Sequence, residues 1–144
     1  MRWLETGARQ PVILLHGLPM SPDLWRYVLP LVRDTRCLAW AIKGYGASVR
    51  EGRSRDIPTA RQADYLLGWM EVVGLKQAVL VGYDLGGGVA QITAVRHPVQ
   101  VRGLVLMNAI AYGAWPILPV KIVRGLQAWS GFQTGHSSRC CGCL

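Results

Sequence analysis

The sequence predicts an α/β fold with a mostly parallel sheet flanked by helices. Short apolar runs alternate along the chain with segments whose apolar residues recur at helical spacing. The runs are apolar throughout, which is typical of parallel strands that helices cover on both faces through right-handed crossovers. The chain has 144 residues, of which 51% are apolar and 17% are charged, so it is long enough for one core and is not disordered.

In the first half of the chain, an apolar run, a helical pattern and a second apolar run follow one another. Val12–Leu15 predicts a short buried strand. Ser21 is a favoured helix cap with Pro22 at the first helical position, and apolar residues continue at helical spacing behind it. Cys37–Ile42 predicts the second strand, and the polar residues 47–58 predict a loop.

The second half repeats the alternation. Thr59–Gln62 fits a capping box that begins a second helix, and this helix is predicted to end at Gly74. Ala78–Val81 predicts the third strand, Gly86–Val95 a helix of small and apolar residues, and Leu104–Met107 the fourth strand. Strands and helices therefore alternate as they do in a parallel sheet with crossover helices.

The charge pattern predicts no nucleic-acid or membrane partner. The net charge is +8, but the densest basic run, residues 50–61, is interrupted by acidic residues and has no interleaved aromatic residues. No apolar stretch follows Arg2, so we expect no signal peptide. Gly103–Val120 is uncharged, but its prolines and Asn108 favour a buried strand and a loop over a membrane span. We expect a cytoplasmic protein.

The cysteines predict neither a metal site nor a cofactor. Cys37 lies in an apolar run and is expected to be an inert core residue. Cys140, Cys141 and Cys143 crowd the end of the chain near His136, but they lack the Cys-x-x-Cys spacing that is usual for zinc ligands.

The segment Gly82-Tyr83-Asp84-Leu85-Gly86 fits a nucleophile elbow, a tight turn between a strand and a helix that exposes a reactive side chain. Gly82 and Gly86 lack the Cβ atoms that would clash there. A carboxylate is ionised at neutral pH and attacks without a base, and its attack on an alkyl carbon gives an ordinary ester. Asp84 therefore indicates epoxides or alkyl halides as substrates. The alternative is that Asp84 only caps the following helix.

The segment His16-Gly17-Leu18-Pro19 follows the first predicted strand, where an oxyanion donor arises in sites of this kind. The backbone N–H groups of Leu18 and Leu85 are the candidate pair of donors, and such donors stabilise the tetrahedral intermediate when water cleaves the ester. We expect His16 to be structural and not a base, because it lies in this loop. The alternative is that His-Gly is simply a turn.

Together these motifs resemble the α/β-hydrolase family, in particular its epoxide hydrolase and haloalkane dehalogenase branch. The resemblance runs from about Trp3 to Leu126 and rests on the three segments His16-Gly17-Leu18-Pro19, Gly44-Tyr45-Gly46-Ala47-Ser48 and Gly82-Tyr83-Asp84-Leu85-Gly86-Gly87. It implies a small-molecule substrate, hydrolysed through an alkyl-enzyme ester on Asp84.

The resemblance also implies how the chain is organised. Residues 1–126 are expected to form the N-terminal part of an incomplete α/β-hydrolase core, including the start of a lid. Residues 127–144 contain neither Val nor Ile and have no hydrophobic period, so they are interpreted as an atypical tail and a possible truncation or frameshift product.

Several positions depart from the family pattern. Leu85 stands where this branch usually has a halide-binding Trp, Asn108 where some dehalogenases have an acid, and Ala41 where an Asp is usual. The family's general-base His lies near the end of a longer chain, and neither His97 nor His136 fits that role. These departures favour an epoxide hydrolase-like function over the haloalkane dehalogenase-like alternative, and they predict that this chain alone is inactive.

Two further alternatives remain. The chain could be an inactive truncated remnant of a hydrolase, which would keep Asp84 by descent. Asp84-Leu85-Gly86-Gly87-Gly88 also resembles the glycine-rich turn of S-adenosylmethionine methyltransferases, although Ala90 replaces the third glycine of that turn. The sequence does not predict the oligomeric state.

Overall fold

A computed structural model describes residues 2–32, 34–45, 48, 50 and 58–111. Its centre is a sheet of five strands in the order β1-β3-β2-β4-β5. The strands are β1 Trp3–Thr6, β2 Gln10–Leu15, β3 Thr35–Trp40, β4 Ala78–Tyr83 and β5 Val101–Met107. The pairs β2–β3, β2–β4 and β4–β5 are parallel, and β1 is antiparallel to β3. The predicted α/β class with a mostly parallel sheet is confirmed.

The register of the central strands aligns their carboxyl ends. Leu15, the last residue of β2, lies opposite Trp40 on β3 and opposite Gly82 on β4. The loops that follow β2, β3 and β4 therefore begin at one edge of the sheet. Ligand sites in parallel α/β sheets form at this edge.

Two α-helices are described, α1 at Thr59–Val72 and α2 at Leu85–Arg96. As predicted, α1 ends at a glycine, since Gly74 has a φ of 74°. The predicted capping box at Thr59–Gln62 is wrong. The cap residue is Pro58, which makes no side-chain capping bond, and the Gln62 side chain turns inward to the backbone of Lys43.

The first predicted helix is wrong in form. The segment after Ser21 contains two short 3-10 helices, Pro22–Trp25 and Leu29–Leu31. The Ser21 hydroxyl does accept a capping hydrogen bond from Asp23 N at 3.2 Å. A continuous α-helix is interrupted because Pro30 has no N–H to donate and its ring crowds the preceding turn. The buried side chains of this segment still cover one face of the sheet, where they pack with Leu14, Cys37 and Ala39.

The strand β1 is an element that the pattern of apolar residues did not predict. All four of its residues are exposed, so it has neither a buried run nor an alternation. It is held by its pairing with β3, by the Glu5–Arg36 ion pair at 2.7 Å and by Trp3, whose ring lies 5.6 Å from the ring of Trp69. Its antiparallel direction makes the sheet mixed.

All of these elements belong to one compact unit, Met1–Ala109. A second unit, Ile110–Cys143, lies almost entirely outside the described residues, as do the predicted boundary at residues 126 and 127, His136 and the three C-terminal cysteines. The predicted loop at residues 47–58 is described only at Ser48, Arg50 and Pro58. Cys37 is buried, as predicted. Among the described residues, no helix has the length and apolar character needed to cross a membrane.

Candidate active site

Asp84 stands at the junction of β4 and α2, where its backbone has a φ of 51° and a ψ of −117°. Non-glycine residues rarely adopt a positive φ, and such strain persists only where the surroundings hold it. Here Asp84 N donates to Met107 O at 3.2 Å, and Asp84 O accepts from Gly87 N at 3.0 Å. The tight turn between strand and helix thus has the geometry of a nucleophile elbow.

The Asp84 carboxylate does not cap α2. Asp84 occupies the N-cap position of α2, but its side chain makes no capping hydrogen bond. Its Oδ2 atom instead accepts a hydrogen bond of 2.8 Å from Leu18 N in the loop after β2. The Asp84 side chain therefore does not act as a helix cap, and it is turned toward the candidate oxyanion loop.

Three glycines allow this close approach. A Cβ atom on Gly17 would lie 2.5 Å from Asp84 Cβ, and one on Gly82 would lie 2.5 Å from Gly87 Cα. A Cβ atom on Gly86 would overlap the backbone oxygens of Leu15 and His16. The end of β2, the elbow and the first turn of α2 are therefore packed backbone against backbone, which any larger residue would separate.

Of the two candidate oxyanion donors, Leu18 contacts Asp84 through a hydrogen bond and Leu85 follows Asp84 in the chain. Leu18 is half-buried, and its N–H already points at Asp84 Oδ2. Leu85 is the first residue of α2, so its N–H has no acceptor within the helix. The positive end of the helix dipole also lies here and favours negative charge. Pro19 is exposed and follows Leu18 through a cis peptide bond.

The His16 ring is fully buried, and both of its nitrogens are used within the fold. Nε2 accepts a hydrogen bond from Ile42 N at 3.1 Å, and Nδ1 lies 3.0 Å from Gly17 O. A carbonyl oxygen only accepts, so Nδ1 carries the proton and the ring is neutral. Burial lowers the pKa of His16, although the bond to Gly17 O opposes this shift. His16 thus braces the loop and is not positioned as a base.

This buried ring predicts how stability depends on pH. The pKa of His16 is lower in the folded state than in the unfolded state. The free energy of folding that its neutral ring contributes is therefore complete above the unfolded pKa of about 6.5 and is lost as pH falls below that value. The expected slope is at most about 1.4 kcal/mol per pH unit. Urea unfolding between about pH 7 and pH 5 measures it. His16→Gln should abolish this slope and His97→Gln should retain it, whereas an equal slope in both variants would contradict the assignment.

Among the described residues, no side chain is placed to act as a general base toward Asp84. His97 lies at the opposite end of α2, a helix of 12 residues, and is therefore about 18 Å away. Asn108 follows β5 with a φ of 45° and is exposed. Cys37 lies on β3, and its side chain is buried in the core. The described part of the site therefore contains a candidate nucleophile and candidate oxyanion donors, and none of the described residues is placed to activate water.

Of the motif Gly44-Tyr45-Gly46-Ala47-Ser48, the described residues Gly44, Tyr45 and Ser48 lie in the turn region after β3. Gly44 has a φ of 86°, and its N–H donates to Ser48 O at 3.1 Å. Ser48 is fully buried, and its hydroxyl has no hydrogen-bond partner in the part of the chain that the structure describes. Gly46 and Ala47 lie outside the described residues. This turn lies at the same edge of the sheet as Asp84.

Sequence reasoning missed Gln62 as a residue that supports the site. Gln62 is fully buried in the first turn of α1, and its side chain bonds to both backbone polar groups of Lys43. One signal was available in the sequence, because Gln62 falls in line with Leu66 and Met70 on the apolar stripe of the helix. A polar residue in such a stripe requires a buried partner.

Comparison with known proteins agrees with this geometry. The family model described as alpha/beta hydrolase fold matches residues 10–132. This match includes the glycine-rich segment Asp84–Gly88, and it therefore argues against the methyltransferase interpretation of that segment. An alpha/beta hydrolase fold protein from Burkholderia ambifaria superposes with a TM-score of 0.79 at 24% identity, over 88% of this chain and 47% of that one.

Curated relatives include several hydrolases. A 2-hydroxymuconate semialdehyde hydrolase from Pseudomonas sp. (strain CF600) is 33% identical over 90% of this chain and 44% of its own length. Bifunctional epoxide hydrolase 2 from Rattus norvegicus is 26% identical over 90% of this chain and 24% of its own. A haloalkane dehalogenase from Bradyrhizobium diazoefficiens is 40% identical over 76% of this chain and 36% of its own. The chain spans less than half the length of these relatives.

Proposed function

Because the chain belongs to the α/β-hydrolase fold family, we propose that it is part of a hydrolase whose Asp84 attacks an electrophilic carbon and forms an alkyl-enzyme ester. One observation carries this proposal. Asp84 Oδ2 accepts from Leu18 N at 2.8 Å, which is within the range of a working oxyanion donor, while Oδ1 accepts no hydrogen bond from the described residues. The carboxylate therefore has one oxygen held and one available for attack.

The first chemical step is a displacement at carbon. An electron pair on Asp84 Oδ1 forms a bond to an epoxide carbon, and the ring carbon–oxygen bond breaks. The ring oxygen departs as an alkoxide and takes a proton from an acid or from water. No base is needed, because the carboxylate is already ionised. The product of this step is an ester in which Oδ2 is the carbonyl oxygen.

The second step is hydrolysis of that ester. Water attacks the carboxyl carbon of Asp84, and negative charge develops on Oδ2, toward which Leu18 N–H points. The N–H of Leu85 is the second donor in this proposal. Collapse of the intermediate breaks the bond between the carboxyl carbon and Oδ1, and a diol carrying Oδ1 is released. A base must take the proton of the attacking water, and the described residues supply none.

An epoxide is favoured as the substrate because of the side chain at position 85. A halide leaving group is stabilised by hydrogen-bond donors, and Leu85 has none on its side chain. An epoxide oxygen can instead be protonated as it leaves. A haloalkane dehalogenase-like activity is the second candidate, since the relative from Bradyrhizobium diazoefficiens is 40% identical to this chain and bears that name.

Substrate choice can be tested on this chain, because the described residues supply no base, and an ester that is not hydrolysed accumulates. We expect styrene oxide to add to the chain faster than 1-bromohexane, as measured by intact-protein mass spectrometry. Leu85→Trp, which adds an indole N–H donor, should raise the rate with the bromide by about tenfold, corresponding to one hydrogen bond. Leu31→Trp, at an exposed site, is the matched control.

Other results decide against the epoxide assignment. A faster rate with 1-bromohexane in the unsubstituted chain would favour the dehalogenase-like candidate. No ester with either compound would favour an inactive remnant of a hydrolase.

The Leu85→Trp variant also needs a folding control. Leu85 is only 4% exposed, so the larger indole ring must fit into a buried site, and circular dichroism checks that the variant keeps its fold.

A further inference from the structure

The turn after β3 is held by a side chain from α1. Gln62 Nε2 donates to Lys43 O at 2.8 Å, and Gln62 Oε1 accepts from Lys43 N at 3.2 Å. The Lys43 ammonium also lies 3.8 Å from the ring centre of Tyr65, three residues further along α1. Both the backbone and the side chain of Lys43 are therefore fixed against the first two turns of this helix.

The same turn is bonded to the candidate oxyanion loop. Ile42, the residue before Lys43, donates its N–H to His16 Nε2 at 3.1 Å. The His16 ring in turn donates through Nδ1 to Gly17 O at 3.0 Å. The next residue, Leu18, holds Asp84 Oδ2. These hydrogen bonds, joined through adjacent residues of the chain, thus connect α1 to the atom proposed to become the oxyanion.

We propose that Gln62 is a positioning residue for the Leu18 N–H donor, acting through Lys43 and His16. This inference rests on the proposed function, because it gives Leu18 a role only if Asp84 forms an ester. Gln62 is fully buried among apolar residues of α1, where Leu or Met would fill the same space. A buried amide is retained at such a site when both of its polar atoms are bonded, and bonding at both ends fixes the orientation of the turn.

The decisive variant is Gln62→Met, which removes both hydrogen bonds and keeps an unbranched side chain of similar length. In nuclear magnetic resonance spectra of the chain, we expect the hydrogen-exchange rate of the Leu18 amide to rise by about tenfold, because its loop becomes free to open. The ¹⁵N resonances of the His16 ring should move as the bond from Ile42 N lengthens. Gln77→Met is the matched control, because it removes a side-chain bond to Val99 O at a remote exposed site.

Two further measurements separate positioning from a general loss of stability. The amide of Leu38, in the core of β3, reports on global opening, so exchange at Leu18 must rise relative to exchange at Leu38. In Gln62→Glu, burial favours the protonated carboxyl group, which can accept from Lys43 N and donate to Lys43 O, so we expect the effect at Leu18 to be smaller in this variant than in Gln62→Met. Equal acceleration at Leu18 and Leu38, or unchanged His16 ring resonances in Gln62→Met, would overturn the proposal.

These measurements need no turnover, so they are independent of the proposed function. If Asp84 forms no ester but Gln62→Met still loosens Leu18, the proposed function fails and the structural coupling stands. If the ester forms in the unsubstituted chain and Leu18 is unaffected by Gln62→Met, the coupling fails and the proposed function stands.

Discussion

Substitution of Asp84 by Asn is expected to slow formation of the covalent ester with styrene oxide by about 1,000-fold or more, because an amide oxygen is a far weaker nucleophile than a carboxylate. The backbone of the elbow should be kept, since Asn also tolerates a positive φ. The hydrogen bond from Leu18 N can be kept as well, because Asn retains a carbonyl oxygen. The rate is measured by intact-protein mass spectrometry, after spontaneous deamidation of the variant has been excluded.

Asp64→Asn is the matched control for this variant. Asp64 lies on α1, where it pairs with Arg61 at 3.0 Å, so its carboxylate tests whether any half-exposed acid reacts with the epoxide. We expect the rate of ester formation to be unchanged in Asp64→Asn. Equal rates in the Asp84 and Asp64 variants would contradict the assignment of Asp84 as the nucleophile.

Gly86→Ala is expected to cost about 3 kcal/mol or more in free energy of unfolding. The new methyl group would overlap the backbone oxygens of Leu15 and His16, which no side-chain rotation can relieve. The end of β2 must then move away from α2, and the contact between Leu18 N and Asp84 Oδ2 should be lost with it. Urea denaturation followed by circular dichroism measures the change.

Gly68→Ala is the matched control for this substitution. Gly68 is exposed in the middle of α1, and a Cβ atom there would meet nothing within 4 Å. The same chemical change should therefore stabilise the chain by about 0.5–1 kcal/mol, because alanine favours the helix. If Gly86→Ala were as well tolerated as Gly68→Ala, the backbone packing of the elbow against the end of β2 would be incorrect.

The fold class was readable from the sequence because its signals are local. Each of the runs at Val12–Leu15, Ala78–Val81 and Leu104–Met107 lies within an observed strand, and the second and third predicted helices were found. The juxtaposition of the loop after β2 with Asp84 follows from the same pattern. The carboxyl ends of parallel strands share an edge, so motifs at the ends of neighbouring strands meet.

Other features depend on tertiary contacts that no local pattern encodes. The strand β1 is exposed along its length and exists through its pairing with β3. Gln62 at the third position after Thr59 matches a capping box, but its amide finds a buried partner in Lys43. The segment after Ser21 has the apolar spacing of a helix, but Pro30 interrupts the backbone hydrogen bonding that a continuous helix needs. This effect of proline is visible in the sequence, and the apolar spacing alone gave the wrong prediction.

The central claim is that Asp84 forms a covalent ester, and locating that ester tests it most directly. The tryptic peptide Gln77–Arg96 contains Asp84 as its only acidic residue and contains no cysteine or histidine. After incubation of the chain with styrene oxide, tandem mass spectrometry of this peptide should place the added mass on Asp84, and the other tryptic peptides should carry no adduct on their acidic residues. An adduct on Cys37, or one spread over several carboxylates with none on Asp84, would contradict the account.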